Sequence, residues 1–409
     1  MADETRPKLR KVQASPDHQH GQPVVVLSDP MRLSEHAVAL PPQVIPLLEL
    51  FDGTRDFPTL EAAFELRTGV KVGPEYLDSL VSALDEALLL ESEHFARAYG
   101  DAVERFRTAP FRLPTMVEAT YQENPELMER VFEEYTDGLP DEGETPRAIG
   151  EVRGLVSPHI DYQRGGPVYA QVWRRVAEAV RATEVALVLG TNHCSGQGLI
   201  TLTRQSYSTP WGILPTAVEV VDAVASALGE DAVFEDELNH RSEHSVEASA
   251  VWLHYLARGG ACQLVPILCG SFQRFIEEGR RPGDDDEIFR FVDSVRESTA
   301  GRRTLVVASG DLAHVGPEFG DRHPMGEAER SELSNADGEL MALIAAGDAE
   351  GAFQRVQEDG DRWRICGIAP IYLALRLLGD TRGEITGYAQ CPADHEGASF
   401  VSICGIALG

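Results

Sequence analysis

Between residues 74 and 90 the segment PEYLDSLVSALDEALLL places apolar side chains at Leu77, Leu80, Val81, Leu84 and Leu88. That three-and-four spacing predicts an amphipathic helix. Upstream, VVVLSDPM (24–31) opens as a short strand. PPQVIPLLELFDG (41–53) reads as a helix, with Leu47, Leu48 and Phe51 on one face, Pro42 early and Gly53 as its stop. Phe57 to Arg67 predicts a further helix with Thr59 as N-cap. A short strand, LLLESE, follows at 88–93. Three small helices with strand edges over 21–98 outline a small winged-helix-like domain. Residues 1–20 lack apolar periodicity and are expected to be a disordered tail. Residues 99–148 read as a helical connector ending in EEYTDGLPDEGETPR, rich in acid, Pro and Gly.

From 149 to 409 the texture changes. Short apolar runs (VRGLVSP, VALVLGT, GLITLT, CQLVPILCG, RTLVVASGD, ITGYAQ, SFVSICGIAL) alternate with helical patterns such as GPVYAQVWRRVAEAVRA, SVEASAVWLHYLARGG and IAPIYLALRLLG. This alternation predicts an α/β domain whose mixed or mostly parallel sheet is covered by helices on both faces. Ligands of such sheets sit beyond the carboxyl ends of the strands.

Composition narrows the partners. Lys+Arg number 36 against Asp+Glu 66, a net charge of −30. A nucleic-acid backbone or an anionic membrane would be repelled, so neither is expected as main partner. No apolar run is long enough to span a bilayer, and the N-terminus lacks a signal-peptide core. The six cysteines (194, 262, 269, 366, 391, 404) include no CxxC pair, so a reduced, cytoplasmic protein is expected.

The candidate chemistry lies at strand ends. GLVSPHID puts His159 just after one predicted strand, VALVLGTNHC puts His193 after another, and LVVASGDLAH puts Asp311 and His314 after a third. A single loop histidine is more often solvated or capping; three at matching ends of a parallel sheet would converge on one rim. In EHSVE, Glu243 and Glu247 are one turn apart with His244 beside the first, either lining the same cleft or serving as a charged first turn. Cys366 precedes the helix IAPIYLALRLL, where a thiolate is favoured, although an arbitrary Cys is more often a small buried hydrophobe. Two imidazoles and a thiolate would suit iron, copper or zinc, and spacing does not choose among them. No P-loop, GxGxxG, GxSxG or HExxH is present.

Taken in order, SPHIDYQRGG, LGTNHCSG, YSTPWGILP, EHSVEASAVWL, VPILCGSF, SGDLAHVG, CGIAPI and SFVSICGIALG resemble the Memo family, known in prokaryotes as AmmeMemoRadiSam system protein B. The family looks like a relative of the class III extradiol dioxygenases, which use non-haem iron. The resemblance implies a metal pocket built from His159, His193 and Cys366, with iron first and copper or zinc as alternatives. It implies that His314 moves a proton and that Asp311 orients or tunes it. A thiolate in place of the dioxygenases' carboxylate favours softer metals or a redox role. In the first motif Asp161 stands where eukaryotic members carry Gly, and Arg164 and Gly165 replace Tyr-Ser. Asp161 could fix the tautomer of His159, with Glu243 and His244 as further supporting or substrate-facing groups.

Two functions compete. One is a metal-dependent oxidoreductase acting on a small molecule. The other is a non-catalytic accessory protein that recognises a peptide and works with a radical S-adenosylmethionine partner. In that reading the 21–98 domain, which resembles the PqqD-type peptide-recognition fold, grips the peptide along a strand edge. A zinc hydrolase ranks last, because no carboxylate is placed as base.

Overall fold

The computed structural model describes residues 6–19, 21–117, 119–139, 151–194, 196, 198–258 and 260–409. The chain forms two compact units, Met1–Thr108 and Ala109–Gly409.

In the first unit, strands β1 (Gln13–Gln19), β2 (Gln22–Ser28) and β3 (Val38–Leu40) form an antiparallel sheet in that order. Helices α1 (Ile45–Leu48), α2 (Phe57–Thr68), α3 (Pro74–Glu86) and α4 (Glu93–Thr108) follow. Leu77, Leu80 and Leu84 of α3 are buried with Leu60 and Phe64 of α2, as their spacing predicts. Three local expectations change. Residues 1–5 and 20 of the expected tail lie outside the described residues, but Gln13–Gln19 form β1, paired with β2 from Gln13↔Ser28 to Gln19↔Gln22. The turn is made at Gly21, whose φ of +77° suits glycine. Because every β1 residue is exposed, backbone bonds rather than an apolar face define the strand, and the sequence carries no signal for it. Asp56, not Thr59, caps α2: its Oδ1 accepts from the Thr59 N–H at 3.0 Å. LLLESE contributes only a single bridge, Leu9↔Leu90.

The second unit begins with α5 (Pro125–Asp137), after which residues 140–150 of the expected connector lie outside the described residues. Its elements continue as β4 (Gly154–Ser157), α6 (Tyr162–Ala182), β5 (Val185–Thr191), β6 (Ile200–Leu202), β7 (Tyr207–Thr209), β8 (Gly212–Leu214), α7 (Val218–Leu228), α8 (Glu230–Phe234), α9 (Ser245–Leu256), β9 (Gln263–Cys269), α10 (Gln273–Glu278), α11 (Asp286–Ser298), β10 (Thr304–Ser309), β11 (His314–Val315), α12 (Glu327–Ala345), α13 (Ala349–Glu358), α14 (Ile368–Leu378), β12 (Gly383–Pro392) and β13 (Phe400–Leu408). A 3₁₀ turn, Glu237–Arg241, leads into α9.

The main sheet runs β11-β13-β4-β10-β5-β9-β6, with β12 also paired to β13. β4, β10, β5 and β9 are parallel neighbours; β6, β11, β12 and β13 join antiparallel. Side chains alternate between faces. Leu187, Leu189, Val306 and Ala308 bury against residues of α7, α11 and α14. Ala186, Val188, Leu305 and Val307 bury on the other face against residues of α6 and α9. This is the helix-covered α/β sheet with a mostly parallel centre that the alternation predicts. Among the described residues no helix is long and apolar enough to cross a membrane.

Candidate metal centre

The strand register brings the histidine loops together. Ser309 of β10 pairs with Ser157 of β4 on one side and Gly190 of β5 on the other. The three loops that follow therefore leave the sheet side by side, at the rim where α/β sheets bind ligands.

His159 is buried, and its ring is fixed at both ends. Its Nδ1 lies 3.1 Å from the Ser309 carbonyl, which can only accept, so Nδ1 carries a hydrogen and Nε2 is the nitrogen left to face a ligand. Nε2 points to Cys366 Sγ at 3.2 Å. Asp311 holds the loop itself: Oδ1 accepts from the backbone N–H groups of His159 (2.8 Å) and Ile160 (3.3 Å). Its Oδ2 lies 3.7 Å from His159 Nε2.

His193 is arranged in parallel fashion. Its Nδ1 sits 3.0 and 3.1 Å from the two oxygens of buried Glu243, and its backbone N–H donates to Oε2 at 3.0 Å. Nε2 is again the nitrogen left for a ligand. The rings of His159 and His193 meet edge to face at 5.1 Å.

Cys366 arrives from the far side of the sequence through a close backbone contact. A Cβ at Gly310 would lie 2.6 Å from Gly367 Cα, and one at Gly367 would lie 2.5 Å from the Asp311 carbonyl. Only glycines allow that approach. The Gly367 N–H donates to the same carbonyl at 2.9 Å, and Gly367 is the N-cap of α14. Cys366 is thereby held beside the loop carrying Asp311.

His159, His193 and Cys366 thus offer ligand atoms within 4.8 Å of one another. The residues expected from the sequence to meet at one rim do meet there. A second grouping, His193, Glu243 and His244, satisfies the same distance. In it, however, the Glu243 oxygens already accept from His193 Nδ1, His193 N–H and Ser245 N–H (2.9 Å), so Glu243 acts as an orienting carboxylate. His244 stacks on His193 with centroids 5.0 Å apart, meets His159 edge-on at 5.3 Å, and has Nδ1 3.3 Å from Glu243 Oε1.

The charges are coupled. Burial works against ionising Cys366, but the His159 imidazole, the bonds to His159 and His193, and the His314 charge outweigh it and bring the thiol down to about 5. Burial likewise opposes protonation of His159, yet Asp311 and the Cys366 sulfur raise it to about 9. For His193 burial is overcome by bonds to Cys366 and Glu243, raising it to about 11. Burial would raise Glu243, but His193 and His244 hold it below the ordinary carboxylate range. Burial lowers His244 to about 4, so it stands neutral beside its neighbours. Without metal, the centre therefore favours thiolate and imidazolium. Alkylation of Cys366 by iodoacetamide in metal-free protein is expected to stay fast down to about pH 5 and to fall below it. Buried Cys262, whose thiol is pushed up to about 12, is expected to stay inert in the folded chain. A Cys366 profile that rises only near pH 8 to 9, the ordinary thiol range, would contradict this electrostatic account.

Other sequence expectations fall differently. Asp161 does not reach the ring of His159, whose tautomer is set by the Ser309 carbonyl. It caps α6 instead, accepting from the Arg164 N–H at 3.0 Å and pairing with the Arg164 guanidinium. His314 lies outside both ligand groupings. Its Nδ1 is 3.2 and 3.1 Å from the carbonyls of Leu312 and Arg364, and Phe319 packs edge-on to the ring. Glu247 does not line the centre: its carboxylate is consumed by Arg112, Thr115, Met116 and Tyr121. Arg112 and the Ser309 carbonyl were not legible as site components, since a lone Arg in APFRLPT and a main-chain oxygen carry no pattern. Beside Cys366, a cavity of about 240 Å³ is lined by Asn192, Phe272, Gln273, Asp361 and Arg364 among others.

The family model described as Memo-like protein matches residues 112–406. Among curated relatives, a MEMO1 family protein of Aquifex aeolicus is 27% identical over 94% of both chains. One from Methanopyrus kandleri is 27% identical over 68% of this chain and 91% of its own length. A third, from Thermus thermophilus, is 26% identical over 79% of this chain and 90% of its own. The matched span contains the whole histidine-cysteine rim, and the chain belongs to the Memo family.

Proposed function

We propose that this chain binds one transition metal through His159 Nε2, His193 Nε2 and Cys366 Sγ, and that the loaded protein is an oxidoreductase acting on a small molecule. The observation that carries the reading is the convergence of the three ligand atoms within 4.8 Å, together with the engagement of each imidazole's other nitrogen by an acceptor. Committed Nδ1–H groups are what a metal-binding imidazole needs, because they fix ring orientation and raise the basicity of Nε2. A thiolate with two imidazoles suits iron, copper or zinc, and three protein ligands leave coordination open for a substrate. His193 and His244 are partly exposed and form the open side.

When bound, a redox metal would supply electron transfer to or from a coordinated substrate. The chain's own part is to hold and orient. Asp311 fixes the His159 loop, Glu243 fixes His193, and the cavity beside Cys366 offers room for a small molecule. His314 is the residue assigned to proton movement, with Nδ1–H held by two carbonyls and Nε2 left to exchange a proton. The oxidoreductase part rests on the resemblance to class III extradiol dioxygenases and on the softness of the thiolate.

Metal analysis of anaerobically purified protein tests the reading. About one iron, copper or zinc per chain is expected, lost in both His159→Ala and His193→Ala. Stoichiometric metal retained in both variants would remove the assigned ligands. Zinc, or iron or copper that keeps one oxidation state under both dithionite and ferricyanide, would remove the redox part.

A further inference from the structure

Glu243 orients His193, but Glu243 must itself be held, and the residue that holds it lies outside the centre. Arg112 is wholly buried and paired with Glu247, the two side chains being 0% and 1% exposed. Its Nε donates to the His240 carbonyl at 2.7 Å and its Nη2 to the Glu243 carbonyl at 2.6 Å. The guanidinium thus grips both ends of the 240–243 turn. Tyr207, whose ring lies under the guanidinium at 4.7 Å, bonds His240 Nδ1 at 2.9 Å, and His240 Nε2 faces the Thr201 carbonyl at 3.1 Å. Arg112 Nη1 is anchored by Glu247 Oε2 at 2.5 Å. Glu247 in turn accepts from the N–H groups of Thr115 (2.8 Å) and Met116 (3.0 Å) and from Tyr121 Oη (2.6 Å). Every link from this buried pair to His193 Nδ1 is a hydrogen bond of 2.6 to 3.1 Å or a covalent bond within residue 243.

We propose that Arg112 is a positioning residue for the metal centre: through the Glu243 carbonyl it fixes the carboxylate that fixes His193. A planar guanidinium meets two carbonyls and a carboxylate at once, which the three donors of a lysine ammonium on a flexible stem cannot reproduce. The inference rests on the metal reading for its affinity arm alone; the orientation of His193 is measurable without metal.

The test uses the full chain with R112K, E243Q and the double variant. In metal-free protein, the ¹⁵N and N–H signals of the His193 ring are expected to report one Nδ1–H held in the hydrogen bond to Glu243 in wild type, perturbed in R112K toward the pattern of E243Q. In metal-loaded protein, R112K is expected to weaken binding about 10–100-fold, the range for loss of an outer-shell support. Added to E243Q it should cost less than about twofold, because the two act along one path. If R112K does not fold, E247Q, which keeps shape and removes charge, should move the same His193 signals by a smaller amount. Unchanged His193 signals and affinity in variants with lowered melting temperature would overturn the proposal and leave Arg112 a purely structural residue. So would additive losses in the double variant. A wild type that binds no metal would fail the metal reading, while the ring signals would still decide the positioning role.

Discussion

Replacing Cys366 with serine is expected to lower metal affinity by more than the roughly 10–100-fold that loss of an outer-shell contact produces. The reason is chemical rather than steric. The Cys366 thiol is ionised down to about pH 5 by its imidazole neighbours, whereas a serine hydroxyl in the same place stays protonated and offers a hard, neutral oxygen. The two histidines remain, so weak binding persists. Chelator competition on wild type and variant measures the difference. A cobalt-substituted sample adds a direct signature, because a sulfur-to-metal charge-transfer band present in wild type is absent from Cys366→Ser. Equal affinity and an unchanged band would show that the sulfur is not a ligand.

Arg112→Met is expected to destabilise the second unit by about 3–5 kcal/mol, the cost of breaking a buried ion pair and stranding one charge. Glu247 would remain ionised or become protonated at a position 1% exposed, with its bonds to Thr115, Met116 and Tyr121 intact but its counter-charge gone. Tryptophan fluorescence during urea unfolding reports this unit, since residues 173, 211, 252 and 363, the chain's 4 Trp, all lie in it. The double variant Arg112→Met/Glu247→Met should recover part of the loss, because it removes both charges. A single variant within about 0.5 kcal/mol of wild type would mean that the pair carries little of the fold.

How much of this was legible beforehand follows from what kind of physics each feature uses. The parallel strands β4, β5, β9 and β10 are buried on both faces, so they read as continuous apolar runs such as VALVLGT and TLVVAS. The amphipathic α3 and α11 declare themselves by period. Because histidines and Asp311 sit two residues beyond such runs, the rim could be placed from the sequence alone. What the sequence hides is anything carried by the backbone. β1 is seven exposed residues held by ladder bonds. The Nδ1–H of His159 is fixed by a carbonyl of Ser309, which has no signature in the sequence, whereas Asp161, an attractive side chain at short sequence distance, caps α6. The approach of Cys366 depends on Gly310 meeting Gly367, two ordinary glycines in the text of the chain. The Arg112–Glu247 pair joins residues 135 positions apart, which no local pattern can announce.

X-ray absorption at the edge of the bound metal resolves the coordination sphere of the His159–His193–Cys366 centre. In the wild-type protein the spectrum is predicted to contain one sulfur scatterer and two imidazole shells, with the sulfur vanishing in Cys366→Ser and one imidazole in His193→Ala. A spectrum of oxygen and nitrogen neighbours alone, indifferent to those substitutions, would contradict the account.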